Sequence, residues 1–163
     1  MRLIIVRHAI AFERNAKRWP DDGARPLTKR GARKFRDVAA RLVKLEPEVA
    51  LCFASPPKRA WRTAVLLAKA GWPKPQALPE LEPGVTPEAA TRALAMLKTK
   101  GPVVIVGHEP MLSELTAWLL GTPSPAFEYK KGGAAVLEFP AAPASAEGRL
   151  QWLATPRLLR KAR

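Results

Sequence analysis

Two uninterrupted aliphatic runs, Leu3-Ile4-Ile5-Val6 and Val103-Val104-Ile105-Val106, are each followed at the second position by a histidine, His8 in one case and His108 in the other. A strand with no polar alternation is buried on both faces, which an open two-layer sheet cannot provide. The chain therefore has to form a mostly parallel sheet covered on each side by helices, a three-layer α/β/α architecture. The intervening residues supply the helices. From Thr28 to about Lys44, Phe35, Val38, Ala39 and Leu42 recur at helical spacing while basic residues fill the other positions, and Thr28 is a suitable N-cap.

A second strand is expected over Val49–Ala54, then a helix to about Ala70 with Ser55 as its cap and Pro56 and Pro57 in its first turn. Gly71-Trp72-Pro73 stops it. The sequence further predicts an edge strand near Gln76–Leu78, a loop over Pro79–Pro87, a helix from about Glu88 to Lys98, and a helix through Met111, Leu112, Leu115, Trp118 and Leu119 ended by Gly121. Ala135–Phe139 and Leu150–Ala154 would close the sheet as a hairpin. No repeat or composition break divides the 163 residues, so one domain over 1–163 is expected.

Only four consecutive apolar residues precede the first charge after the opening strand, too few for a signal-peptide core or a membrane span. A cytoplasmic protein without a membrane partner is expected. The single cysteine, Cys52, sits in an apolar run and reads as a buried, inert thiol. A formal net charge of +14 favours anionic partners. Nucleic acid is disfavoured, because no reader motif is present and the five Trp and one Tyr do not alternate with basic residues as stacking platforms would. An acidic or phosphorylated protein suits the charge better.

Open α/β sheets bind ligands beyond the carboxyl ends of their strands, and three polar signatures fall there: Arg7-His8, Ser55 through Arg59, and Gly107-His108. Two arginines, Arg7 and Arg59, can neutralise a phosphoryl group and orient it through their planar donor forks, with Arg59 in the first turn of a helix whose dipole also favours an anion. Neutral imidazole is a competent nucleophile, so His8 would attack phosphorus and hold the group before water removes it. His108 would stabilise charge on the equatorial oxygens. Two histidines without spaced Cys or carboxylate partners make a poor metal site, and the chemistry calls for no cofactor. Phosphate-loop and nucleophile-elbow motifs are missing from the sequence.

Four blocks in order carry a resemblance: Leu3-Ile4-Ile5-Val6-Arg7-His8-Ala9, Arg25-Pro26-Leu27-Thr28-Lys29-Arg30-Gly31, Ser55-Pro56-Pro57-Lys58-Arg59-Ala60-Trp61-Arg62-Thr63-Ala64 and Val106-Gly107-His108-Glu109-Pro110. From Met1 to about Gly121 the chain resembles the histidine phosphatase superfamily, with its phosphoglycerate mutase-like fold, and within it the small SixA-type phosphohistidine phosphatases. The resemblance implies that His8 is the nucleophile, Arg7 and Arg59 the phosphate-binding arginines and His108 the second histidine. Arg-His-Gly, common in the superfamily, is Arg-His-Ala here, and Ala9 is small enough for the turn unless positive φ is needed. Larger relatives carry an acidic proton donor after the third strand. Glu80 and Glu82 are the candidates here, neither an unambiguous equivalent.

By the same resemblance Arg25, three residues after Asp22, either lines the phosphate pocket or pairs with Asp22. Thr28 and Gly31 read as helix initiation and close packing, and Ser55 as a helix cap or a phosphate contact. Three functions compete: hydrolysis of phosphohistidine on a protein, hydrolysis of a small phosphomonoester or nucleotide, and non-catalytic binding of a phosphorylated partner. Retention of all four core residues argues against the third. A phosphate-like anion is expected in the site in every case.

Overall fold

A computed structural model describes residues 1–123 and 125–161. Its centre is a six-stranded sheet of β1 (Arg2–Arg7), β2 (Leu51–Ala54), β3 (Pro75–Ala77), β4 (Val103–Gly107), β5 (Ala134–Glu138) and β6 (Arg149–Ala154), in the order β3-β2-β4-β1-β5-β6. The first four strands of that order run parallel, whereas β5 and β6 pair antiparallel as the expected hairpin. Among the described residues five α-helices complete the fold: α1 (Lys29–Leu45), α2 (Lys58–Ala70), α3 (Pro87–Ala95), α4 (Met111–Leu120) and α5 (Pro156–Lys161).

The period-2 alternation of side chains explains the three layers. Ile4, Val6, Cys52, Ala54, Val104 and Val106 point to one face and pack with Phe35, Val38 and Leu42 of α1 and Leu67 of α2. Leu3, Ile5, Phe53, Val103 and Ile105 point to the other and pack with Leu94 of α3 and Leu112, Leu115 and Leu119 of α4. Burial pushes the Cys52 thiol up to about 12, so it stays protonated as expected of an inert core residue.

Boundaries differ from the sequence reading in instructive places. Thr28 caps α1 as expected, its Oγ1 accepting from Gly31 N at 2.9 Å. Gly31 is required by close approach: a Cβ there would lie 2.1 Å from the Ile10 carbonyl oxygen. In contrast, Ser55 does not cap α2. The helix begins at Lys58 with Pro57 at its N-cap and no side-chain cap bond, because Ser55 is turned into the interior instead. The loop over Pro79–Pro87 contains a 3-10 turn at Pro79–Leu81, and α3 ends at Ala95, three residues before Lys98. The expected sequence elements did not include α5.

Candidate active site

Strand register builds the site. The parallel β1–β4 ladder aligns Arg7 with Gly107, so the next residues, His8 and His108, emerge side by side. Ala54 of β2 pairs with Val106 of β4, and Ser55 N donates to the Val106 carbonyl at 2.9 Å, bringing Ser55 abreast of them. The two imidazole centroids lie 5.2 Å apart, tilted by 54°. Exposure is low: 5% for His8, 2% for His108 and 5% for Arg59. The site is thus largely withdrawn from water, where charge interactions are strongest.

Each ring is oriented. His8 Nδ1 lies 2.7 Å from its neighbour's carbonyl, Ala9 O, an acceptor only, so Nδ1 carries the proton and Nε2 keeps its lone pair. Ala9 is itself fixed, its N–H donating to Thr63 Oγ1 at 3.0 Å while that hydroxyl donates to Arg59 O at 2.7 Å. Ala9 has no positive φ, so no glycine is needed there. The His108 Nε2 lies 3.0 Å from Ser55 Oγ, and its Nδ1 is buried without a hydrogen-bond partner.

The charges of three arginines, Arg59, Arg7 and Arg25, act on His8, and those of Arg59 and Arg25 also reach His108. Arg7 Nη1 donates to Tyr129 O and, at 3.1 Å, to Glu128 Oε1. Arg59, from the first turn of α2, donates through Nη1 to Asp22 O at 2.8 Å, with Nη2 3.1 Å from Asp22 Oδ2. The Nε of each of these two arginines is buried without a partner. Arg25 pairs with Asp22, Nε to Oδ1 at 2.8 Å, and donates from Nη1 to Phe12 O at 2.7 Å. Asp22 is therefore a shared anchor for Arg25 and Arg59, and the hydrogen bond from Arg25, with the nearby guanidinium charges, holds its carboxyl below the usual range. The alternative of Arg25 pairing with Asp22 is the one observed, close enough to Arg59 that the pair also shapes the site.

The sequence assigns no role to Glu109 or Thr63, although both stand in the motif blocks, and does not single out Tyr129. Glu109 accepts from Tyr129 N at 3.0 Å and from Ser113 Oγ at 2.6 Å, so it braces the segment whose carbonyl holds Arg7. Burial raises its pKa, against the pull of those hydrogen bonds and of Arg7. Its position next to His108 was the available signal. Glu82 lines a shallow cavity with Pro56, Pro57 and Lys58, whereas Glu80 does not line it. Among the described residues no group of three or more His, Cys, Asp or Glu side chains could hold a metal ion.

Both histidines are pushed down to about 3, chiefly because burial penalises the imidazolium. They are neutral near pH 7. In the unfolded chain they titrate near about 6.5, so below that pH the unfolded state binds protons that the folded state refuses. The contribution to stability is thus complete above about 6.5 and declines as pH falls toward about 3. Thermal unfolding followed by circular dichroism should show Tm dropping between pH 6.5 and 5, where carboxylates still contribute little, and the slope should flatten in a His8→Ala/His108→Ala variant. A wild-type Tm that is level across that interval would contradict the neutral pair.

A buried pair of neutral imidazoles faced by guanidinium groups at the carboxyl end of a parallel sheet is an arrangement suited to a small tetrahedral dianion. Residues 3–83 match the histidine phosphatase superfamily (branch 1). An uncharacterized protein of Picosynechococcus sp. is 36% identical over 121 residues, 70% of each chain. The chain belongs to the histidine phosphatase superfamily and has its phosphoglycerate mutase-like fold. Among solved structures, the protein histidine phosphatase SixA complexed with tungstate is similar at a TM-score of 0.83 and 25% identity, covering 98% of this chain and 99% of its own. A SixA from Agrobacterium tumefaciens described as a phosphohistidine phosphatase superposes at 0.76 with 20% identity, over 95% and 98% of the two chains. The mycobacterial glucosyl-3-phosphoglycerate phosphatase shares the fold at 0.74 with 18% identity, over 94% and 99%. The protein is a phosphatase of this superfamily, and no helix among its described residues is long and apolar enough to cross a membrane.

Proposed function

We propose that the protein hydrolyses phosphohistidine on an acidic cytoplasmic protein, carrying the phosphoryl group transiently on His8. The observation that carries this reading is the buried imidazole pair, 5.2 Å between ring centroids, with the charges of Arg7 and Arg59 acting on His8 and the Nε of each arginine buried without a partner. His8 Nε2 attacks phosphorus, a new N–P bond forms, and the substrate's N–P bond breaks. The leaving imidazole takes a proton on its distal nitrogen from solvent and departs neutral. Water then attacks the phosphoryl group on His8, releasing inorganic phosphate and regenerating the ring. Arg7 and Arg59 neutralise the phosphoryl oxygens, Arg25 holds Asp22 and Arg59 in place, and His108 stabilises charge on the transferring group. The likeness to SixA bound to tungstate, a tetrahedral oxyanion, supports an oxyanion in the same pocket.

The leaving group decides between this reading and its competitor, a small phosphomonoester, which the likeness to glucosyl-3-phosphoglycerate phosphatase favours. Expelling an alkoxide calls for a proton donor worth about 10²–10⁴-fold, and among the described residues neither Glu80 nor Glu82 forms an ion pair with the site's arginines. Phosphohistidine has no such need. A phosphohistidine peptide should be turned over with kcat/KM at least about 10²-fold above that of an alkyl phosphate, with Glu80→Gln and Glu82→Gln nearly neutral on the peptide. A preference for the alkyl phosphate, or a large loss on the peptide in either variant, would move the assignment to the phosphomonoesterase.

A further inference from the structure

The molecule carries a groove that the chemistry above does not use. It runs between the beginnings of α1 and α2, has a volume of about 490 Å³, and lies directly outside the segment that bears Arg59. Helical spacing aligns its walls: Lys29 and Arg36 belong to one side of α1, and Lys58, Trp61 and Arg62 to one side of α2. Leu27 contributes to the floor, and Trp61, although a large apolar side chain, is 37% exposed.

The charge of this groove is one-sided. Lys29, Arg36, Lys58 and Arg62 line it, no carboxylate does, and none of the four forms an ion pair among the described residues. Other cations of the neighbourhood are treated differently, since Arg14, Arg25 and Arg59 all converge on Asp22. Four cations held close together without a counter-charge repel one another, so an anionic occupant would gain from each of them. A single exposed indole beside them suits a side chain or short helix of a protein better than a run of stacked bases, which calls for several platforms.

We propose that this groove docks an acidic segment of the phosphorylated protein next to its phosphohistidine, placing that residue at the His8 pocket. The inference rests on the proposed phosphohistidine activity for its biological meaning, but the groove can be tested apart from it. Lys58 and Arg59 are consecutive, so a segment seated against Lys58 and Arg62 delivers its neighbouring residues to the Arg59 side of the pocket. Electrostatic complementarity of this kind speeds encounter and fixes register, and it weakens with salt.

The probes are two short peptides with one central histidine, flanked in one by glutamates and in the other by glutamines. Binding of the unphosphorylated peptides is read by tryptophan fluorescence, with Trp61→Phe identifying the reporting indole. The glutamate peptide should bind at least about tenfold more tightly than the glutamine peptide at low salt, and Lys29→Glu/Arg36→Glu/Arg62→Glu should erase that difference. The milder Lys29→Gln/Arg36→Gln/Arg62→Gln should fall between. Turnover of free phosphohistidine should stay within about twofold in both variants, which shows that fold and site are intact. Equal affinity for the two peptides, or an unchanged preference in the charge-reversed protein, overturns the docking surface. So does tighter binding of a thymidine oligonucleotide that is lost in the same variant, which would assign the groove to nucleic acid. If the phosphorylated peptides are not hydrolysed while the glutamate peptide still binds through these residues, the proposed activity fails and the groove stands.

Discussion

Replacement of His8 by alanine is expected to lower turnover of any phosphorylated substrate by at least about 10⁴-fold, as removal of a nucleophile does in other covalent mechanisms. The expectation rests on two features of the ring. Its Nδ1 proton is committed to Ala9 O, leaving Nε2 free to attack, and burial keeps the ring unprotonated near pH 7. Wild-type protein exposed briefly to labelled substrate and denatured without acid should carry a phosphoryl adduct that is acid-labile and alkali-stable. His8→Ala should carry none. Because the Ala9 turn is held by the Thr63 hydroxyl independently of the imidazole, the variant should remain folded. Persistent turnover in it would mean that another group attacks phosphorus.

The second large effect concerns Arg59. Alanine there should cost about 10²–10³-fold in kcat/KM, the scale of losing one preorganised donor set, and lysine should recover little because a point charge cannot reproduce the planar fork. Part of the reason lies in Asp22, which grips both Nη atoms of Arg59 and so sets the direction of the remaining Nε. An Asp22→Asn variant keeps a carbonyl acceptor but weakens the grip, and it should lose less than Arg59→Ala. A loss below about tenfold in Arg59→Ala would place that guanidinium outside the reacting geometry.

The sequence made the centre of the fold legible because the aliphatic runs of β1 and β4 carry no competing pattern, and because a strand end is a fixed place. His8, His108, Arg7 and Arg59 are all within two residues of where β1 and β4 end and α2 begins, and the structure brings them together there. Ser55 shows the opposite case. Serine before a helix reads as a cap, yet two consecutive prolines delay the first turn to Lys58 and free the hydroxyl for His108. Glu109 and Tyr129 could not be linked from the sequence, since they stand twenty positions apart and only the tertiary fold brings the Tyr129 N–H to the Glu109 carboxylate. The short helix α5 has too few turns to show a period, with Leu159 its one buried side chain.

The ladder that aligns Arg7 with Gly107 has one more implication, for how the protein is born and lost. Strands β1 and β4 are some hundred positions apart in the chain, and side chains alternate faces along each, so a slip of one residue would send one imidazole to the opposite layer. No partial assembly can present both rings on the same side. The pocket thus comes into being only when the most distant pairing of the parallel sheet closes, a slow step for a chain. Assembly of the pocket and closure of the β1–β4 ladder are therefore one event, so a substitution that weakens this pairing removes the site along with the fold.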